Sequence, residues 1–411
     1  MLTRPATVAH PLRAYVGTYG DAPNTQGGGI FTLNVARDGT ALDVVGHAPE
    51  PRDAGYLVYA ANTRTLYSVD ERKTDGRGPI APPAAVHALS VSPSGDLRWL
   101  NSLRAPGPRP TFLSLSAKHH ALLSANHGDF QHVEKVKWHP NKGSRIDYIY
   151  DDSTVVLFGL GADGSIETIR DVRVLKGHGE DPNHSPQNGG HAQASAHAHC
   201  AVIDPTGKYV LVCDKGTDQI LVFRLRKRLA PVSSLQLSRE TGPRHLVFDP
   251  ISGRVYATLE LSSELACLEF DCATGTLLFH GSVSTVASGF SKVNEPAEVR
   301  VHPAGRFVYV NNRGEDSLAW FDIRATPGPK RIDSVPLATS AHPGLAARSF
   351  TFDPTGEFLL VADRPAHRVR SYRVNRESGA LSVLSSVHIP DPAYIVFVDP
   401  PFPDCAQAQT R

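Results

Sequence analysis

A pattern of short strands and turns repeats along the second half of the chain, and it constrains the fold more than any other feature. Each copy has an alternating apolar strand, an Asp-Pro or His-Pro turn ending in glycine, a second apolar strand, a polar turn and a third strand. The turn prolines are spaced by 45, 53 and 51 residues and are Pro205, Pro250, Pro303 and Pro354. Such a period indicates a fold built from repeated units.

Fainter copies precede these four, beginning near residues 13, 55 and 111, which makes seven units in all. No convincing amphipathic helix of ten or more residues interrupts them. Four-stranded units arranged radially at about this period are typical of a β-propeller, whereas a stacked β-solenoid has shorter repeats. The sequence therefore predicts an all-β fold, a seven-bladed β-propeller with four-stranded blades.

The two ends of the chain complement each other. The C-terminal segment PAYIVFVDP resembles an inner strand without partners, and the N-terminal unit lacks its inner strand. We expect both ends to share one blade, which closes the ring and removes exposed sheet edges. This gives one domain over residues 11–402, with flexible termini at 1–10 and 403–411. Residues 131–153 interrupt the third unit between its second and third strands, and we expect a loop or small hairpin there.

Composition excludes several classes of partner. The formal net charge of the 411 residues is +1, which gives no reason to expect nucleic acid or an anionic membrane as a partner. No apolar run approaches the roughly eighteen residues of a membrane helix, and the N-terminus lacks a signal-peptide pattern. The five cysteines form no C-x-x-C pair and indicate reduced thiols in a cytoplasmic protein. We expect a monomer or a weak homodimer.

Polar residues gather at one end of the inner hairpins. Residues equidistant from the Asp/His-Pro turn are cross-strand neighbours, so the positions farthest from the turn share one face of the ring. Those positions pair His199 with Asp214 and Lys215, Arg244 and His245 with Glu260, Glu298 with Asn311, Asn312 and Arg313, and Arg348 with Asp363 and Arg364. Ion pairs such as Arg244–Glu260 and Arg348–Asp363 could simply hold the strands in register. Together, however, the rim favours a site for an anionic small molecule, because arginine suits carboxylate or phosphate.

The repeats also resemble a known family. The segments HAHC, GPRHLVF, LEL, NNRG and RSFTFDPTG, with YVGTY near the start, look like the seven-bladed lactonase propellers. That family includes bacterial 6-phosphogluconolactonases and fungal 3-carboxy-cis,cis-muconate cyclases. The resemblance covers nearly the whole chain and is strongest from residue 197 onward.

The resemblance implies four catalytic residues, at positions that hairpin geometry already places on the rim. They are His199, Arg244, Glu260 and Arg313. Substrate-binding residues would be His197, His245, Lys215, Glu298, Arg348, Arg364 and, in a turn that reads A-N-H-G, Asn126. His199 would activate water, the arginines would bind the substrate's anion or the oxyanion, and Glu260 would orient Arg244 or His199 or carry a proton.

The expected function is a cofactor-independent lactonase acting on an anionic sugar-type lactone, such as the 6-phosphogluconolactone of the pentose phosphate pathway. Two alternatives stay open: a muconate-type lactonising enzyme, or a non-enzymatic scaffold that binds an anionic metabolite or a protein. The tract HAQASAHAHC, with His178 and His184 upstream, lacks the fixed spacing of a zinc site. We therefore expect no metal, and assign His178, His184 and His191 to a loop between blades.

Overall fold

The computed structural model describes residues 11–20, 27–72, 84–180, 192–326 and 328–398. Its strands form seven four-stranded antiparallel sheets and one additional hairpin, which confirms the predicted seven-bladed propeller. The predicted flexible termini at 1–10 and 403–411 lie outside the described residues, and so do residues 399–402. No helix in the described ranges is long and apolar enough to cross a membrane.

The strands follow one another in chain order around the ring. Blade 1 contains β1 (Leu12–Thr18), β2 (Ile30–Val35) and β3 (Leu42–Ala48), and blade 2 contains β4 (Leu57–Ala60), β5 (Thr65–Asp70), β6 (Ala85–Val91) and β7 (Leu97–Arg104). Blade 3 contains β8 (Pro110–Ser116) and β9 (Ala121–Asn126), then the inserted hairpin of β10 (His132–His139) and β11 (Gly143–Tyr150), then β12 (Ser153–Leu160) and β13 (Ile166–Leu175).

The second half is more regular. Blade 4 contains β14 (Ala198–Ile203), β15 (Tyr209–Asp214), β16 (Gln219–Leu225) and β17 (Leu229–Gln236), and blade 5 contains β18 (Pro243–Phe248), β19 (Arg254–Leu259), β20 (Glu264–Asp271) and β21 (Thr276–Ser284). Blade 6 contains β22 (Glu295–Val301), β23 (Phe307–Arg313), β24 (Ser317–Asp322) and β25 (Lys330–Pro336). Blade 7 contains β26 (Ser349–Phe352), β27 (Phe358–Asp363), β28 (Arg368–Val374) and β29 (Leu381–His388), and the last strand is β30 (Pro392–Phe397). Short 3-10 turns span Pro343–Leu345 and Arg364–Ala366.

The ring closes through blade 1. Strand β30 pairs antiparallel with β1, with Ala14 opposite Phe397 and Val16 opposite Ile395, and the sheet order is β3-β2-β1-β30. The C-terminal strand is thus the inner strand of the N-terminal blade, as predicted. The innermost strands of all seven blades contact one another in a closed circle around the channel.

The recurrent Asp-Pro turn has a local cause. In blade 4 the Asp204 carboxylate accepts backbone N–H bonds from Thr206 at 3.0 Å and from Tyr209 at 2.6 Å, so one side chain ties the turn to the next strand. Gly207 follows with φ of +67°, a conformation that a β-carbon disfavours. Aspartate, proline and glycine are the residue types that such a turn needs.

Buried tyrosines link neighbouring blades. The Tyr15 hydroxyl donates to the Gly95 carbonyl in the outer turn of blade 2 at 2.7 Å. Tyr67 makes the same bond to Gly164 in blade 3 at 2.7 Å. Between the sheets, the four-stranded blades pack apolar side chains into a continuous core, and the tyrosines satisfy their hydroxyls at its edge. Each blade is therefore held by its neighbour and not only by its own hydrogen bonds.

β-Bulges mark the rim end of four inner hairpins. In blade 4, Ala198 pairs with Asp214 and Cys200 with Cys213, which leaves His199 as the extra residue. Equivalent register shifts occur at Thr111 in blade 3, at Arg244 and His245 in blade 5, and at Ala297 and Glu298 in blade 6. The expected direct pairing of His199 with Asp214 is therefore wrong, because the bulge turns this side chain out of the regular ladder.

The inserted hairpin of β10 and β11 pairs with no blade in the described residues. It leaves blade 3 next to the rim, directly after Phe130, and returns before Ser153. Val136 and Trp138 are 72% and 70% exposed, on the same face of the hairpin as Tyr148. The insertion is thus a protruding arm rather than part of the ring.

Four free cysteines occur among the described residues. Cys200, Cys213 and Cys267 are buried, and Cys272 is exposed. Cys405 lies outside the described part. Burial raises the pKa of the Cys213 thiol well above its usual range.

Candidate active site

A cavity of about 330 Å³ lies at the rim end of the inner strands. Its charged lining comprises five cations and four carboxylates, namely Arg109, Lys215, Arg244, Arg313, Arg348, Glu71, Asp129, Glu260 and Glu295. His127, His199, Phe130 and Thr111 complete much of the wall. Small-molecule sites are usually lined mostly by apolar side chains with a few polar groups, so a lining this rich in charge indicates a polar, charged ligand.

Glu260 joins three cations from three blades. Its Oε1 accepts from Lys215 Nζ at 2.8 Å, and its Oε2 accepts from Arg313 Nη2 at 2.7 Å. Arg244 Nε is 2.8 Å from the same Oε2. All four side chains are buried, and the three cations hold the pKa of the Glu260 carboxyl well below its usual range against the opposing effect of burial. Glu260 therefore stays ionised and cannot carry a proton near neutral pH.

Arg244 retains unused hydrogen-bonding capacity. Although its Nε lies close to Glu260, the N–H is not aligned for a hydrogen bond, and Nε and Nη1 are both buried without a partner. Arg313, by contrast, uses its guanidinium on Glu260, on Glu295 Oε2 at 3.0 Å and on the Glu295 carbonyl at 3.1 Å. A buried guanidinium with free donors requires a ligand or water, because unsatisfied buried polar groups are costly.

Four histidine side chains form a cluster near Arg244. The His127 and His197 rings are parallel at 4.5 Å, and His199 stands edge-on to His127 at 5.4 Å and to His245 at 5.0 Å. His199 Nδ1 is buried without a hydrogen-bond partner. Burial first, then the positive charge of Arg244, lowers the pKa of His199 well below its usual range. The imidazole is therefore neutral at pH 7 and keeps a free lone pair, although the same burial and charge make it a weaker base than an ordinary histidine.

The backbone around His197 explains its position. Its N–H donates to Asp214 Oδ1 at 2.7 Å, and its Nδ1 lies 2.9 Å from the His127 carbonyl. Burial lowers the pKa of His197 to about 4 and raises the pKa of Asp214 to about 6. His197 is completely buried and supports the cavity wall from behind without lining it.

A second, much smaller cavity of about 20 Å³ adjoins the first. His199, Arg244, Arg348, Thr111 and Glu71 line both, and Tyr19, Tyr56, His245, Glu298 and Tyr394 line only the small one. Arg348 donates to the Tyr19 hydroxyl at 2.9 Å, and Tyr19 donates to Glu71 at 2.7 Å. The expected alternative of an Arg348–Asp363 pair is not made, because Asp363 binds Arg370 at 2.8 Å.

The structure brings most of the predicted residues together. His199, Glu260, Arg244, Arg313, Lys215 and Arg348 line the larger cavity, and His245 and Glu298 line the smaller. Arg364 lines neither. Its guanidinium stands 4.5 Å over the Tyr19 ring, and its Nη1 donates to the Gly344 carbonyl at 3.2 Å.

Asn126 does not reach either cavity. It is fully buried, its amide nitrogen donates to the Pro106 and Gly107 carbonyls at 3.0 and 3.2 Å, and its oxygen accepts from Ser124. The expectation that Asn126 contacts substrate is not met, because its hydrogen-bonding groups are used to fix the turn before β8. Its neighbour His127 occupies the cavity wall instead.

Sequence reasoning missed several lining residues, most of which lie in loops outside the repeat, while Glu295 and Tyr394 lie in inner strands. These include Arg109, Phe130 and Glu295 in the larger cavity, and Tyr19, Glu71 and Tyr394 in the smaller. Glu295 alone had a signal, since it opens an inner strand three residues before the identified Glu298. The other lining residues come together only when the ring closes, so no pattern in the sequence indicates them.

The histidine-rich tract does not form a metal site in the part of the chain that the structure describes. No group of three or more His, Cys, Asp or Glu side chains there could hold a metal ion. His178 is exposed on a loop, and its Nδ1 lies 2.7 Å from the Gly179 carbonyl. His184 and His191 lie outside the described residues.

The fold is a seven-bladed propeller, and a charged cavity lies at the rim end of its inner strands. The family model described as lactonase, seven-bladed beta-propeller, matches residues 13–397. The chain therefore belongs to this family of lactone-hydrolysing propellers.

Named relatives and solved structures agree with the family. The chain is 28% identical to a 6-phosphogluconolactonase of Bacillus subtilis over 388 residues, which cover 93% of this chain and 97% of that protein. It is similar to a protein from Lactobacillus plantarum, with a TM-score of 0.78, 26% identity, and 95% and 100% of the two chains covered. It is also similar to the periplasmic gluconolactonase of Pseudomonas aeruginosa, with a TM-score of 0.77, 25% identity, and 95% and 99% coverage.

Proposed function

We propose that this protein is a cofactor-independent lactonase that hydrolyses an anionic sugar-type lactone, such as 6-phosphogluconolactone, in the larger cavity. The observation that carries the proposal is the pairing of Arg244, buried with free donors, with His199, neutral and with a free Nδ1, in one cavity. A lactone requires these two functions: a donor for the developing oxyanion and a base for water.

The roles follow from the contacts. His199 accepts the proton of water and returns it to the leaving oxygen of the ring. Arg244 donates to the oxyanion or to the anionic group of the substrate, and Arg313 and Lys215 add positive charge beside it. Glu260 orients these three cations and takes no proton.

The anionic character of the substrate is supported by the excess of cations over carboxylates in the lining. The name of the Bacillus subtilis relative favours a phosphorylated lactone, whereas that of the Pseudomonas aeruginosa structure favours an unphosphorylated one. For the phosphorylated substrate we infer a cytoplasmic enzyme of the pentose phosphate pathway. Comparison of 6-phosphogluconolactone, gluconolactone and muconolactone by pH-stat titration distinguishes these substrates.

The test of the site uses His199→Ala and Arg244→Ala. Each is expected to stay folded and to lose at least about 100-fold in kcat, the contribution typical of general acid–base or oxyanion groups. His280→Ala is the matched control, because His280 is exposed on β21, the outermost strand of blade 5, where its Nε2 lies 2.9 Å from Glu269 Oε2. Unchanged turnover in a folded His199→Ala variant contradicts the assignment, and anion binding without any turnover by the wild type favours a scaffold.

A further inference from the structure

The small cavity is large enough to hold a water molecule. Its volume is about 20 Å³, and a cavity of roughly 10–15 Å³ or more on this measure can hold a water if it offers two to four polar partners. It shares the walls formed by His199 and Arg244 with the larger cavity. A molecule in it therefore lies next to the proposed substrate site.

The polar atoms around this cavity lack partners. His199 Nδ1, His245 Nε2 and Ser349 Oγ are buried without a hydrogen bond. Leaving buried polar atoms unsatisfied is costly, and three of them on the residues that line one small space indicate a bound water.

His245 is held in place by a carboxylate. Its Nδ1 is 3.4 Å from Glu298 Oε2, and Arg300 Nε is 3.3 Å from the other oxygen of Glu298. Arg300 in turn donates to the Tyr394 hydroxyl at 2.6 Å. A carboxylate at one ring nitrogen fixes the orientation of an imidazole, which leaves Nε2 of His245 for a second contact.

We propose that the small cavity holds the water that attacks the lactone, and that His245, oriented by Glu298, holds this water against the substrate carbonyl. This inference rests on the proposed lactonase function. The water oxygen bonds to the carbonyl carbon while its proton passes to His199. The ring C–O bond then breaks, the leaving oxygen takes the proton from His199, and the product is the open-chain hydroxy acid.

The first test fills the cavity. Ala393 is a fully buried residue of its wall, and Ala393→Val adds two methyl groups there. We expect kcat to fall at least about 100-fold while KM stays within about threefold, because the larger cavity is unchanged. Ser349→Val fills it from another strand and should give the same split, with Ala393→Gly, which adds no bulk, as the matched control. Full kcat in either folded filled variant overturns the inference.

The second test uses the wild-type protein and does not depend on whether variants fold. Methanol attacks a lactone to give the methyl ester, and it is larger than the water that the small cavity is proposed to hold. With methanol in the assay we expect the enzyme-catalysed product to be the acid alone, measured by mass spectrometry. Methyl ester formed in proportion to the methanol present shows that the nucleophile comes from open solvent, and the inference is then wrong.

The outcomes separate the two proposals. If the wild type hydrolyses none of the three lactones, the proposed function fails. If it hydrolyses one but forms methyl ester, or if filled variants keep their kcat, only the assignment of the small cavity and of His245 fails. His245→Asn adds a third readout, since it should lower kcat at least about tenfold and leave KM nearly unchanged.

Discussion

Replacing Glu260 by glutamine removes the one negative charge that three buried cations share. Lys215, Arg244 and Arg313 all lie within 2.8 Å of its oxygens, and all four side chains are at most 6% exposed. Leaving a buried charge without its partner costs about 3–5 kcal/mol. We expect Glu260→Gln to lower the free energy of unfolding by about this amount, measured by urea unfolding with circular dichroism.

The pH dependence of the loss tests its cause. The three cations hold the pKa of Glu260 well below its usual range, so the unfolded chain binds this proton first as the pH falls. The stability that Glu260 contributes is therefore lost from the wild type at acid pH, and the variant lacks it at every pH. The deficit of the variant relative to wild type should shrink between about pH 5 and about pH 3.

Glu295→Gln is the matched control. Glu295 contacts only Arg313 among these cations, and Arg313 keeps Glu260 in this variant. The expected loss is about 1 kcal/mol, with little dependence on pH. A Glu260→Gln protein as stable as Glu295→Gln, or a deficit that does not shrink at acid pH, refutes the view of Glu260 as the shared counter-charge.

Further predictions concern pH and the inserted arm. Because the pKa of His199 is well below its usual range, kcat/KM should stay at its pH 7 value down to about pH 6, without the decline near pH 6.5 of an ordinary histidine. Burial lowers the pKa of His197 and of His245 to about 4, so the unfolded chain binds their protons first as pH falls. Each of these two histidines should lower the free energy of unfolding by about 1.4 kcal/mol per pH unit as the pH falls from 6.5 to 4. Because the pKa of Asp214 is raised to about 6, the folded chain binds its proton first, and this offsets the effect of one histidine below pH 6. Thermal unfolding temperatures that do not fall between pH 7 and pH 5 contradict this. Replacing residues 132–150 with a short glycine-serine linker should change the unfolding free energy by less than about 1 kcal/mol, since the arm pairs with no blade; a larger loss would show that the arm supports blade 3.

The repeat was sufficient to predict the fold because each turn carries its own structural cause. Asp204 and Gly207 shape their turn through bonds within five residues, so the pattern is visible in the sequence. Ring closure was predictable for a similar reason, since β30 is an inner strand without local partners. The turns depend on neighbours in the chain, and the missing local partner of β30 is equally visible in the sequence.

The site was predicted in position but not in its contacts. The sequence paired Lys215 with His199 and Glu260 with Arg244 inside their own hairpins, whereas Lys215 and Arg313 reach Glu260 from different blades. Contacts between blades depend on the curvature of the ring, which no local pattern encodes. The bulge at His199 is equally hidden, because one extra residue in a strand leaves no mark in an apolar alternation.

The closure of the ring by β30 has a consequence for synthesis on the ribosome. Tyr394 and Ala393 in that strand form part of the small cavity, and Ala14 pairs with Phe397 almost at the other end of the chain. The first blade therefore waits, with an unpaired strand edge, until β30 has been translated. A nascent chain that terminates before residue 392 lacks both the last strand and a wall of the water cavity, so truncated products should be inactive and prone to associate through β1.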